Sequence, residues 1–73
     1  MKTSGVAKNA LRDLNRFASE HLTRTFNNHA ALPDKNTPYA IEIELMWEFY
    51  SDLLVLVQKY EARVTALEVM EPN

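Results

Sequence analysis

The sequence predicts an all-α chain: an antiparallel helical hairpin of two long helices, expected to dimerise into a four-helix bundle. Three observations predict it. Ile43, Met46, Tyr50, Leu53, Val57, Tyr60, Val64 and Leu67 recur at alternating spacings of three and four, an unbroken seam over four heptads that Tyr39 extends backwards. A second apolar stripe, spaced for a helix, runs from Val6 to Phe26. Between the two lies the turn-forming stretch Leu32, Pro33, Asp34, Lys35, Asn36. The 73 residues are expected to make a single helical-hairpin domain, residues 1–73.

Helix one is expected over about residues 4–28. Met1 to Thr3 reads as a frayed lead-in, and Ser4 can cap the helix. Val6, Ala10, Leu14 and Phe17 fall on one side, and Ala7, Leu11, Ala18, Leu22 and Phe26 continue the stripe. Arg12, Arg16, Ser19, Glu20 and Thr23 lie opposite, while His21 and Thr25 sit within the apolar face. Asn27 and Asn28 favour leaving the helix, which gives a length of about 36 Å.

Residues 29–37 form the connection. Leu32 precedes a proline and is biased away from helix. A loop of this length suits an antiparallel hairpin.

Helix two is expected over residues 38–70, roughly 50 Å. Thr37 is the predicted N-cap, and Pro38 suits the first helical position because it has no N–H to leave unpaired. Glu42 and Glu44 favour the macrodipole near the start, Glu68 and Glu71 oppose it near the end, and Pro72 stops the helix. In its first half the seam is flanked by further apolar residues: Leu45, Trp47, Phe49, Leu54 and Leu56. An arc that wide needs neighbours on two sides. In its second half the flanks become Glu61, Arg63 and Glu68, the width of a two-helix contact with charged edges. Helix two should outrun helix one by about two turns. That overhang, Glu61 to Met70, is one candidate surface for a partner.

Composition narrows the function. Hydrophobic residues at 47% and charged residues at 25% are ordinary for a globular chain. With no cysteine there is no disulfide, thiolate metal site or thiol nucleophile, which fits a reducing cytoplasm. Met1 to Ala10 has no apolar core of a secretory signal, and the longest apolar run, Leu53–Val57, is too short to span a bilayer. The net charge of −2 hides an asymmetry. Residues 1–30 carry Lys2, Lys8, Arg12, Arg16 and Arg24 against Asp13 and Glu20, a net of +3; residues 31–73 carry Lys35, Lys59 and Arg63 against eight acids, a net of −5. The halves either pack together or present separate surfaces.

Chemistry finds little support. Glu44, Glu48 and Asp52 make an acidic stripe at fourfold spacing, but bundle metal sites use inward Glu with a Glu-x-x-His motif, which is absent. A solvated face, or one that meets a basic neighbour, is the simpler account. His21 and His29 are poorly spaced as a metal pair, and His21 in an apolar stripe is expected to be a core or interface histidine. One glycine excludes phosphate cradles and nucleophile elbows. No catalytic residue, metal ligand or cofactor is expected.

What remains is association. Tyr39, Trp47, Phe49, Tyr50 and Tyr60 gather on helix two, and tyrosine and tryptophan combine large contact area with a polar tip. The expected function is a non-enzymatic binding protein that homodimerises through the seam and acts on a protein target as an adaptor, inhibitor or regulator. Candidate partner-binding residues are Lys8, Arg12, Arg16 and Arg24 on helix one and Glu61, Arg63 and Glu68 on the overhang. The alternative is a small nucleic-acid-binding regulator whose Lys8–Arg12–Arg16 stripe touches phosphates. Asp13 and Glu20 interrupt that face, and a pI near 5.6 is low for such a domain.

Overall fold

The structure, a computed structural model, describes residues 4–70. Two helices, α1 (Val6–Ala31) and α2 (Pro38–Met70), lie antiparallel, and the described residues contain no strand. The all-α hairpin predicted from the sequence is what forms. The lead-in at Met1–Thr3 and the Glu71–Pro72 stop fall outside the described residues.

The start of α2 follows its sequence. Thr37 caps α2: its Oγ1 accepts from the Ala40 N–H at 3.1 Å and its carbonyl accepts from the Ile41 N–H at 3.1 Å. Pro38 takes the first helical position. At the start of α1 the cap position is Gly5 rather than Ser4. Gly5 adopts the left-handed region (φ 84°), which an L side chain would resist, and its carbonyl accepts from the Asn9 N–H at 2.9 Å. Ser4 still contributes, because its Oγ accepts from the Val6 N–H at 3.3 Å.

The end of α1 differs from expectation. The helix runs through Asn27 and Asn28 to Ala31, shortening the loop. Asparagine is only a weak helix former, and packing overrides so small a bias. Phe26 meets Trp47 edge-on at 4.9 Å, and the His29 and Trp47 rings lie 5.9 Å apart. The stop comes from Pro33, which holds Leu32 in extended backbone (φ −74°, ψ 131°). Lys35 then folds back and donates from Nζ to the carbonyls of His29 and Leu32, placing a cation on the negative end of α1. Asp34 Oδ1 accepts from the Asn36 N–H at 2.8 Å and tightens the turn.

Cross-helix contacts set the register. Lys8 Nζ lies 3.7 Å from Glu68 Oε2, Asn15 Nδ2 donates to Glu61 Oε1 at 3.0 Å, and His29 packs on Trp47. A step along α1 matches an equal step back along α2, in multiples of seven, which is the antiparallel heptad pattern. Residues shielded from solvent follow it. On α1 they include Leu11, Asn15, Ala18, Leu22, Thr25 and His29; on α2 they include Ala40, Ile43, Trp47, Tyr50, Leu54, Val57, Glu61, Val64 and Glu68. Ala18 and Ala40 are completely buried and Val57 is nearly so (3% exposed), but among the described residues no large side chain is fully buried.

This register removes the expected overhang. Lys8, near the start of α1, pairs with Glu68, near the end of α2, so the helices finish together. The surplus length of α2 lies instead at the loop end, from Pro38 onward. Glu61 and Glu68 are half-buried and engaged with α1, while Val69 and Met70 at that end are each 80% exposed.

The Asn15–Glu61 bond is a polar layer in an otherwise apolar contact, extended by Ser19 Oγ, which donates to Asn15 Oδ1 at 3.4 Å. Asn15→Asp would place two carboxylates against each other and should destabilise the hairpin by about 1–3 kcal/mol. Adding Glu61→Gln should recover most of that loss. Thermal unfolding followed by circular dichroism measures both.

Candidate interaction surface

The predicted seam of α2 divides into two columns. Ile43, Tyr50, Val57 and Val64 turn toward α1. Tyr50 sits against the Phe17 ring (6.0 Å, edge-on) and stacks on His21 (5.1 Å), and Val64 lines a groove with Ala7, Ala10 and Leu11. The second column turns away: Met46, Tyr60 and Leu67 are exposed, and Leu53 is half-buried. The physical reason is geometric. The four α1-facing seam residues take their other column from Ala40, Trp47, Leu54, Glu61 and Glu68, not from Met46, Leu53, Tyr60 and Leu67. Both choices alternate threes and fours, so spacing alone does not separate them.

The outward column gains neighbours that the seam did not include. Phe49 (54% exposed) and Leu56 (50% exposed) fall between its members, so Met46, Phe49, Leu53, Leu56 and Tyr60 again follow at spacings of three and four. This outer strip continues to Tyr39 at one end and Leu67 at the other. Two charges interrupt it, Glu42 and Arg63, the latter lying over the Tyr60 ring at 5.1 Å. Sequence reasoning marked Phe49 and Leu56 as apolar flanks but did not join them to Met46, Leu53 and Tyr60. A second heptad frame displaced around the helix would have shown them.

Helix α1 contributes to the same side. Ala7 and Ala10 share an open groove with Tyr60, Arg63, Val64 and Leu67. Further along, Leu14 and Phe17 are 43% and 46% exposed. The apolar flank of α1 and the outer strip of α2 thus make one continuous face.

The charged candidates are dispersed. Arg12, Arg16 and Arg24 are exposed, with Arg24 in a shallow polar hollow beside Glu20, Thr23 and Asn27. Lys8 is engaged by Glu68. Glu44, Glu48 and Asp52 line a hollow with Trp47 and Ser51, and Glu44 Oε2 lies 3.9 Å from His29 Nε2, a buried atom with no hydrogen-bond partner among the described residues. His21 and His29 are separate half-buried ring contacts and do not come together. Among the described residues no three histidine or acidic side chains are grouped to hold a metal, and no helix is long and apolar enough to cross a membrane. Comparison with family models, curated proteins and solved structures finds no match.

Close approach of the helices at Ala18 is a test of this geometry. Ala18→Leu forces a large side chain into a site with no free surface and should lower stability by about 1–3 kcal/mol, read from the urea midpoint.

Proposed function

We propose that this chain is a non-enzymatic helical binding protein of the cytoplasm that homodimerises and acts through contacts with another protein. One observation carries the reading: a continuous apolar face that two helices leave uncovered. Phe49, Leu53, Leu56 and Tyr60 lie at its centre, flanked by Leu14 and Phe17 of α1. Contiguous apolar patches of this kind mark sites of association. In this reading a second copy covers the face, and the surfaces left outside the dimer meet the target. Those surfaces are the basic residues Arg12 and Arg16 on α1 and the acidic residues Glu44 and Glu48 on α2.

The nucleic-acid reading is weaker in three dimensions than in one. Lys8 is partly neutralised by Glu68, and Asp13 and Glu20 stand exposed on the same helix as Arg12 and Arg16. Arg24 lies apart from Arg12 and Arg16, and three dispersed arginines are few for a phosphate-tracking surface.

Sedimentation equilibrium tests the proposal. The wild-type chain should run as a dimer of the 8.4 kDa protomer, and Leu53→Asp with Leu56→Asp should abolish the dimer. A helical wild-type chain that stays monomeric would sink it. Fluorescence anisotropy with duplex DNA separates the alternative: steeply salt-dependent binding lost on Arg12→Glu with Arg16→Glu would favour a nucleic-acid partner.

A further inference from the structure

The occupant of the outer strip can be specified. We infer that it is the α2 helix of a second copy, antiparallel and centred between Leu54 and Val55; this rests on the dimer proposed above.

Surface area supports a large missing contact. The chain exposes 5643 Å², whereas a compact protein of 8.4 kDa exposes about 4,600 Å². The excess, about 1,000 Å² per chain, matches the roughly 800 Å² per partner of a standard stable interface.

Charge then selects orientation and register. In a parallel pairing, Glu42 meets the partner's Glu42 and Arg63 meets the partner's Arg63 inside the strip, two like-charge contacts in an apolar seam. Antiparallel pairing about the strip's centre sets Leu53 against the partner's Leu56 and Phe49 against the partner's Tyr60. It also overlaps α2 along almost its whole length, since Tyr39 comes level with the partner's Met70.

Asp52 and Lys59, seven residues apart, share one edge of this strip and are both exposed. Neither has an oppositely charged residue three or four positions away, and neither forms an ion pair among the described residues. In the centred register Asp52 faces the partner's Lys59, and the two-fold axis makes the contact twice. A shift of one heptad in one direction brings Asp52 onto the partner's Asp52. The opposite shift brings Lys59 onto the partner's Lys59. Among heptad-matched antiparallel registers, these edge charges favour the centred one.

The same axis is normal to the plane of the two α2 helices, so it keeps both α1 helices on one side. Leu14 and Phe17 then turn toward the partner's α1, and a four-helix bundle closes.

Two measurements test this. Asp52→Lys alone and Lys59→Asp alone should each weaken the dimer on the order of tenfold in sedimentation equilibrium, and the double exchange, which leaves net charge unchanged, should restore it. Because the chain lacks cysteine, a nitroxide can be placed singly at Gln58→Cys or Thr65→Cys. The centred antiparallel register separates the paired labels along the axis by about 10 Å at Gln58 and about 31 Å at Thr65, whereas a parallel dimer gives the same axial separation, near zero, at both. A dimer that the double exchange does not restore, or whose labels are equally spaced, overturns the register while leaving the dimer standing. A monomer overturns both and leaves the strip to a different protein.

Discussion

Two helices can cover only one strip of each other, and that constraint governs this molecule. A helix buries a stripe, not its circumference, and a hairpin supplies one neighbour per helix. In α2 the stripe from Ala40 through Val57 to Glu68 meets α1, and the apolar stripe beside it does not. The result is a rod of 57 × 14 × 13 Å with a radius of gyration of 16.8 Å, where a compact chain of this length would have about 11 Å. Its fully buried residues are alanines, not leucines or aromatics. The elongated shape, the thin core and the exposed aromatics are one fact seen three ways.

Apolar side chains supply the bulk of the inner contact, and polar groups set its register. Trp47, Tyr50 and Phe26 pack at the loop end, but toward the other end the facing residues become Asn15 with Glu61 and Lys8 with Glu68. The Lys8–Glu68 pair accounts for part of the charge asymmetry between the chain's halves: the basic start of α1 lies beside the acidic end of α2. Exposed ion pairs add little energy, and the Lys8 side chain is 65% exposed. Their effect is on register. An axial slip would strand Glu61 and leave its part-buried carboxylate without Asn15, a cost that an apolar seam would not impose.

Much of this was legible in the sequence. Thr37 and Pro38 identify the start of α2 because their chemistry is local: a hydroxyl that accepts from an N–H and a ring that has none to offer. Pro33 fixed the loop for the same reason. The end of α1 was misplaced because Asn27 and Asn28 carry only a weak local preference, and Phe26 and His29 are held in the helix by Trp47, a residue far along the chain. The seam was half legible. A period of three and four tells which residues share a face, yet α2 carries two such faces sharing an edge, and no local rule says which one meets α1. That choice depends on what α1 offers: small Ala18, polar Asn15 and the ring of His29 in one register.

The outer strip has the composition of an interface that forms after the hairpin. A face meant for water would break its apolar run with charges every turn, as α2 does on the side bearing Glu44, Glu48 and Asp52. Here five apolar residues from Met46 to Tyr60 occupy consecutive strip positions, with charge admitted only at Glu42 and Arg63, near the ends. Tyr60 and Phe49 contribute large area with few rotatable bonds, so ordering them in a contact costs little entropy. Arg63 shields the Tyr60 ring in the single chain and can swing aside without leaving a buried charge. Such a strip tolerates exposure before assembly and gains by being covered. That is what a hairpin too thin to enclose its own aromatics requires.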